Sequence, residues 1–202
     1  MSLSASTLSS LIQSNLQAYG ANGKNLQKFC SAVAAGVVES IVGKSFTTSD
    51  VGLVPGNGIG TGTGITGLSS SDMKSVALSL MPTKGSNADH LMQAIMDGVV
   101  THLSSAASLS STDTPVFSGT GTIEAGSIAV VAEQMSSNIN SQLEAVGAEG
   151  KNVGVLSQAI GTGICTNILS SGSGTLTITG TFTGPTPPGP IPGAGSGEGV
   201  IS

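Results

Sequence analysis

The feature that most constrains this chain is an internal repeat. Residues 23–38, 85–100 and 150–165 align without gaps at offsets of 62 and 127. Their apolar columns coincide: Leu26, Ala88 and Val153; Phe29, Leu91 and Leu156; Val33, Ile95 and Ile160; Val37, Val99 and Ile164; Ile41, Leu103 and Ile168. Within each copy the spacing is 3, 4, 4, 4, which places the set on one face of an α-helix. Asn25, Asn87 and Asn152 stand just before the apolar run and are expected to be N-caps, because an Asn side chain can accept from an otherwise orphaned N–H.

A pair of small residues sits on each of these helices: Ala32 and Gly36, Ala94 and Gly98, Ala159 and Gly163. Small residues four apart flatten a helix and let another backbone come close. A mid-helix Gly costs about 1 kcal/mol relative to Ala, so its presence in all three copies points to packing. These six positions are the candidate site residues, and their expected role is structural.

An earlier helix precedes each copy. The first is predicted over residues 7–19, with Leu8, Leu11, Ile12, Leu16 and Tyr19 at helical spacing. The second is expected over 72–81, ended by Pro82, and the third over 127–146. Gly20 and Gly147 fall where a helix end favours a left-handed residue. After each αα-hairpin comes a period-two stretch of Thr against Gly or an apolar residue: 58–66, 116–123 and 174–183. These are predicted strands. Gly-rich strands are weak alone, so pairing with one another or strand addition to a neighbouring subunit is expected.

The reading is therefore an α+β chain of three tandem repeats, each an αα-hairpin plus a β-strand, arranged about a pseudo-threefold axis. Repeat 1 covers 1–69, repeat 2 70–126 and repeat 3 127–184. Residues 185–202 form a Pro/Gly-rich C-terminal arm, extended in its Pro-rich part and open to two readings, a loose tail or an arm docked on a neighbour.

Composition narrows the function. Only 8% of residues are charged, against roughly 25% in an average soluble domain. The six basic residues are all lysines and are not clustered, so a nucleic-acid footprint is not expected. Aromatic residues make up 2%, too few for a base-stacking or sugar-stacking cleft. No signal peptide is expected, nor an apolar run near the roughly 18–20 residues that a membrane span needs. A neutral, hydroxyl-rich surface is best understood if an assembly covers it.

Chemistry finds little material. Gly43-Lys44-Ser45 has Val38 where a P-loop needs its first Gly, and the Gly60–Gly64 run lacks the setting of a dinucleotide fingerprint. His90 and His102 are twelve residues apart on one predicted helix, about 18 Å, too far for one metal. No Ser lies in a nucleophile elbow and no carboxylate pair suggests glycoside chemistry. Cys30 and Cys165 make no metal pattern and are expected to be buried free thiols. No enzyme activity, cofactor or metal is expected.

The segment Leu91-Met92-Gln93-Ala94-Ile95-Met96-Asp97-Gly98-Val99-Val100-Thr101-His102-Leu103, followed by Ser118-Gly119-Thr120-Gly121-Thr122-Ile123, resembles small virion proteins of tailed bacteriophages. Comparable patterns in the other two copies extend the resemblance over most of the chain. It implies a non-enzymatic particle component and does not place it within the particle; the expectation adopted is a neck or baseplate component, made in the host cytoplasm and located in the virion. Its partners would be other virion proteins, met by strand addition and by the C-terminal arm. The alternatives are a capsid decoration or cement protein, and a host-surface or glycan-binding module.

Overall fold

A computed structural model describes residues 3–54, 58–81, 86–114, 120–171, 177–183 and 191–201. The fold is α+β. Two helices and then two strands follow one another three times along the chain: α1 (Ala5–Ala18), α2 (Leu26–Ile41), β1 (Ser45–Val54), β2 (Gly58–Thr63); α3 (Ser70–Leu80), α4 (Ser86–Ser105), β3 (Ser108–Thr114), β4 (Thr120–Ala129); α5 (Ala132–Ala145), α6 (Lys151–Ser171), β5 (Thr177–Thr183), β6 (Ile191–Val200).

The helices form a closed ring in which each packs on its two neighbours in sequence and α6 packs back on α1. The apolar periodicity explains which helix lies where. The first helix of each pair buries one stripe, such as Leu8, Ile12 and Leu16 of α1 or Met135, Ile139 and Leu143 of α5. The second helices are buried around much of their circumference; α2 buries Ala32 through Val38 without a break. A helix apolar on most sides belongs inside, and α2 accordingly gives more of its circumference to the core than α1 does.

The strands close into a second ring. All six are antiparallel to their neighbours in the order β1-β2-β3-β4-β5-β6, and β6 returns to β1. Eight strands make a barrel just wide enough to be filled by side chains; six make a narrower one. Glycine meets that limit. On β2, Gly60 is buried while Ile59, Thr61 and Thr63 are exposed. On β1, Phe46 and Thr48 are buried, and their Cα partners on β6 are Gly199 and Gly197. Gly197 in turn pairs with Gly180, and Gly180 with Gly121. The Thr-Gly alternation is thus the signature of a thin barrel.

Ring and barrel share one core at a neck. Phe46, Ile65, Ala107, Ile128, Val130 and Ile201 are buried there and continuous with the helix core. Backbone hydrogen bonds stitch the junction: Gly43 N–H to Ile201 O at 2.8 Å, Ile201 N–H to Lys44 O at 3.1 Å, Gly64 N–H to Ala107 O at 2.8 Å and Ile65 N–H to Leu103 O at 2.9 Å. Gly64 takes a φ of +76°, and a Cβ there would lie 2.1 Å from Ser104 O, so only Gly fits.

Several expectations need correction. Each helix pair is followed by two strands, not one; β1, β3 and β6 lack the Thr-Gly alternation and are held by barrel pairing. Residues 127–129, expected to begin a helix, end β4, and the helix starts at Ala132. β4 therefore crosses the expected boundary at 126/127. The arm at 185–202 contains β6, paired over ten residues with β1, so residues 191–200 are neither a loose tail nor free to dock elsewhere. With every strand paired on both sides, strand addition finds no open edge among the described residues. Expected strand residues 116–119 and 174–176, and the Pro-rich 184–190, lie outside the described residues. The Asn caps also shift. Asn25 is in N-cap position but makes no side-chain cap bond, and α4 and α6 begin before Asn87 and Asn152, at Ser86 and Lys151.

The expected left-handed turns are present. Gly20 and Gly147 have φ of +86° and +87°, and the following Ala21 and Ala148 N–H groups reach back to Leu16 and Leu143 O. This is the paired-bond helix stop that left-handed Gly permits.

Two outcomes follow. Deleting residues 191–202 exposes the β1 and β5 edges, so the truncated chain is expected to aggregate or lose its cooperative urea transition; a soluble monomer with the parent midpoint would show that β6 contributes nothing. Gly98→Ala is expected to destabilise by about 1–3 kcal/mol through overpacking, although Ala is the better helix former, because the new Cβ would sit 2.4 Å from Ile139 Cα. Gly154→Ala, whose nearest neighbour is Asn140 Oδ1 at 3.9 Å, is expected to stabilise by up to about 1 kcal/mol. Urea midpoints of the two variants test the contrast.

Candidate functional site

The six sequence-singled residues are all buried on the second helices: Ala32 and Gly36 on α2, Ala94 and Gly98 on α4, Ala159 and Gly163 on α6. Their glycines do not meet one another. Each touches the first helix of the next pair. A Cβ on Gly36 would lie 2.5 Å from Met73 O on α3; on Gly98, 2.4 Å from Ile139 Cα on α5; on Gly163, 2.8 Å from Ile12 Cγ1 and 3.3 Å from Ile12 N on α1. The contacts run cyclically, and the third closes the helix ring.

Four residues after these glycines come Ser40, His102 and Asn167, equivalent positions in the alignment. His102 is fully buried and Asn167 is 1% exposed. Val131 N–H donates to His102 Nε2 at 3.3 Å. Val131 is the N-cap residue of α5 and offers no capping oxygen of its own, whereas Ser4 and Ser69 cap α1 and α3 by accepting from Thr7 and Asp72 N–H. His102 therefore fixes the start of α5 from the neighbouring helix. Its Nδ1, the Asn167 Oδ1 and the buried Thr48 Oγ1 have no hydrogen-bond partner among the described residues. A buried polar atom left so costs about 1–3 kcal/mol. Sequence spacing alone does not reveal this neck layer. The signal available was the alignment column in which Ser, His and Asn replace one another beside apolar columns.

Two shallow troughs adjoin on the outer face of α5 and α6. One, of about 570 Å³, is lined by Glu133, Ser136, Asn140, Ser157 and Thr162 among others. The second, of about 550 Å³, is lined by Asn140, Glu144, Glu149, Lys151 and Val153 among others. Gly154 of α6 lines both, and a Cβ there would meet only Asn140 Oδ1, at 3.9 Å. Neither trough holds a His or a Cys, and no group of three or more metal-ligating side chains occurs among the described residues.

Burial pushes the Cys30 thiol up to about 11 and the Cys165 thiol up to about 12. Both are free and buried, so neither is a thiolate nucleophile at neutral pH. His90 is exposed at the start of α4, and His102 faces the core, so the two do not share a site.

Apolar side chains are exposed in three zones. Tyr19, Leu80 and Val146 lie at the ends of α1, α3 and α5, where the hairpins turn. Val42, Val131 and Leu169 lie where the helix ring meets the barrel, and Val51 and Ile59 are a cross-strand pair on the barrel wall. Tyr19, expected to join the apolar stripe of its helix, is instead 53% exposed, because the chain leaves the helix at that point. Contrary to the expectation that no apolar run is long enough, Lys151–Ser170 is a helix long and apolar enough to cross a membrane by length and composition, with a mean hydropathy of 1.3. It packs between α1 and α5 in the helix ring.

Compared with known protein families, curated proteins and solved structures, the chain matches none.

One outcome tests the neck. Desolvation lowers the pKa of His102 from 6.5, so the unfolded chain binds the proton at a pH where the folded chain does not. Stability is then fully present above about pH 6.5 and declines as pH falls through that value toward the folded pKa. The urea midpoint is expected to drop between about pH 7 and about pH 5, and His102→Asn is expected to flatten that slope. An unchanged slope in the variant would assign the acid sensitivity to carboxylates.

Proposed function

We propose that this chain is a non-enzymatic structural component of a tailed-phage virion, at the neck or baseplate, in which one polypeptide occupies a threefold position. The observation that carries this reading is the cyclic set of glycine contacts, Gly36 on α3, Gly98 on α5 and Gly163 on α1. Three tandem repeats, each a helix pair and a strand pair, then surround a pseudo-threefold axis. A homotrimer would make the same contact three times between subunits; here it is made within one chain. Low charge supports the same reading, since a surface with 8% charged residues is suited to being covered. The described residues supply a rigid frame with troughs and apolar rims but no nucleophile–base pair.

A capsid decoration protein is the second reading, favoured by the barrel, which leaves the helix ring at one end and gives the molecule a head and a stem. Copy number separates the two. The purified chain is expected to co-sediment with the particle fraction of its source at fixed stoichiometry, and quantitative mass spectrometry is expected to count few copies per particle for a neck or baseplate component and many for a decoration protein. A chain that never sediments with particles would end both readings.

A further inference from the structure

Alternation marks the inner face of the barrel. On β1, Phe46 and Thr48 are buried while Thr47, Ser49 and Val51 are exposed. On β2, Gly60 is buried between exposed Ile59 and Thr61. Directly opposed residues of paired strands share a face. Asp50 follows Thr48 by two and is the Cα partner of Gly60, so the register places it on the inner face. Asp113 of β3 is the partner of Gly58, two before Gly60, and takes an inner position as well. Only β2 separates β1 from β3, and its inner positions between the two acids, Gly58 and Gly60, carry no side chain. On β6 the partners of Thr48 and Asp50 are Gly197 and Gly195. Two acid positions therefore share the inner face in a field of glycine. The other strand acids stand apart: Glu198 partners the exposed Thr47, and Glu124 falls at the register shift of β4.

Thr48 supplies a second observation, independent of the acids. It is 4% exposed, and its Oγ1 has no hydrogen-bond partner among the described residues, where a buried hydroxyl ordinarily finds one. No Lys, Arg or His occurs in β1–β6. The nearest base in sequence, Lys44, has its Nζ 3.9 Å from where a Cβ on the exposed Gly67 would lie. The strands thus offer no basic partner to acids on the inner face, and charges in such places are paired or coordinate metals. A barrel of six strands is too narrow to enclose a larger ligand. We propose that the inner face of the barrel, at the level of Thr48, Asp50 and Asp113, holds one hard cation of the calcium class. The residue types offered there are oxygen donors only, which suits calcium or magnesium better than zinc, and calcium tolerates irregular geometry where magnesium demands an octahedron. The ion offsets the charge of two acids that barrel closure brings together, and it ties β1 to β3 across a strand of glycines. The inference goes beyond the particle reading and does not depend on it.

Calorimetric titration of the EDTA-stripped full chain with calcium chloride tests this. Saturable uptake of about one ion per chain is expected, with a dissociation constant of about 10⁻⁴–10⁻³ M, the weak end for calcium sites, because only two acids are offered. The urea midpoint is expected to be higher in calcium than in EDTA, since an ion that binds only the folded chain stabilises it. Asp50→Asn with Asp113→Asn is expected to abolish both uptake and the calcium-dependent rise, with folding checked by circular dichroism. Thr48→Val removes the hydroxyl without touching an acid and is expected to weaken uptake several-fold. Glu198→Gln, on the outer face, is expected to leave it unchanged. Three results overturn the proposal: no saturable uptake up to about 10 mM calcium, tenfold above the weakest expected constant; a urea midpoint indifferent to calcium; or uptake that survives the double Asn variant or is lost equally in Glu198→Gln. None of them bears on co-sedimentation with particles, which judges the structural reading separately.

Discussion

A barrel of six strands has almost no room inside, and that limit organises the strand half of this molecule. Side chains of ordinary size cannot point inward from every strand. Where Phe46 and Thr48 fill the space from β1, the register places Gly199 and Gly197 opposite them on β6, and Gly180 of β5 beyond Gly197. The Gly residues weaken each strand taken singly, through entropy and lost packing. Closure compensates, because it removes every edge and pairs the backbone of each strand on both sides.

The helix ring obeys a related rule of close approach. Gly36, Gly98 and Gly163 bring the second helix of one pair against the backbone of the next pair's first helix. Closely spaced helices bury Val33, Ile95 and Ile160 in one core, which continues through Phe46 and Ile65 into the neck. Glycine thus has one role in both halves, removing a side chain where two backbones or a backbone and a core residue need the space. The salt bridge between Lys74 and Asp89 at 3.2 Å is partly exposed and contributes little by comparison.

Much of the helical half was legible in the sequence, because a 3-4-4-4 spacing that recurs three times has few alternatives. The left-handed stops at Gly20 and Gly147 were legible for the same reason, a local conformation that few residues besides Gly adopt readily. The strand half was legible only where Thr alternates with Gly. β1 and β3 carry mixed polar residues with no clean period, and β6 has Pro192 and four glycines at alternate positions; their strand character comes from partners distant in sequence. The small residues at 36, 98 and 163 could be read as packing positions, but not their partner. The buried state of His102 was not legible, since a His beside an apolar column reads equally as a solvated edge. Its environment is set by α5, some thirty residues further on.

The pairing of β6 with β1 joins residues 191–200 to residues 45–54, segments far apart in sequence. Such a contact cannot form during synthesis until residues 191–200 have been made. The helix pairs, by contrast, are local and can assemble as they emerge. Topology of this kind, with fast local hairpins and one late long-range closure, slows the final step because the loop entropy must be paid before the contact is gained. For some time the nascent molecule therefore has a formed helical head and an open sheet whose β1 edge waits for the ten-residue β6. Emergence of β6 and barrel closure become one event, so a chain stopped before residue 191 is marked by an unpaired edge.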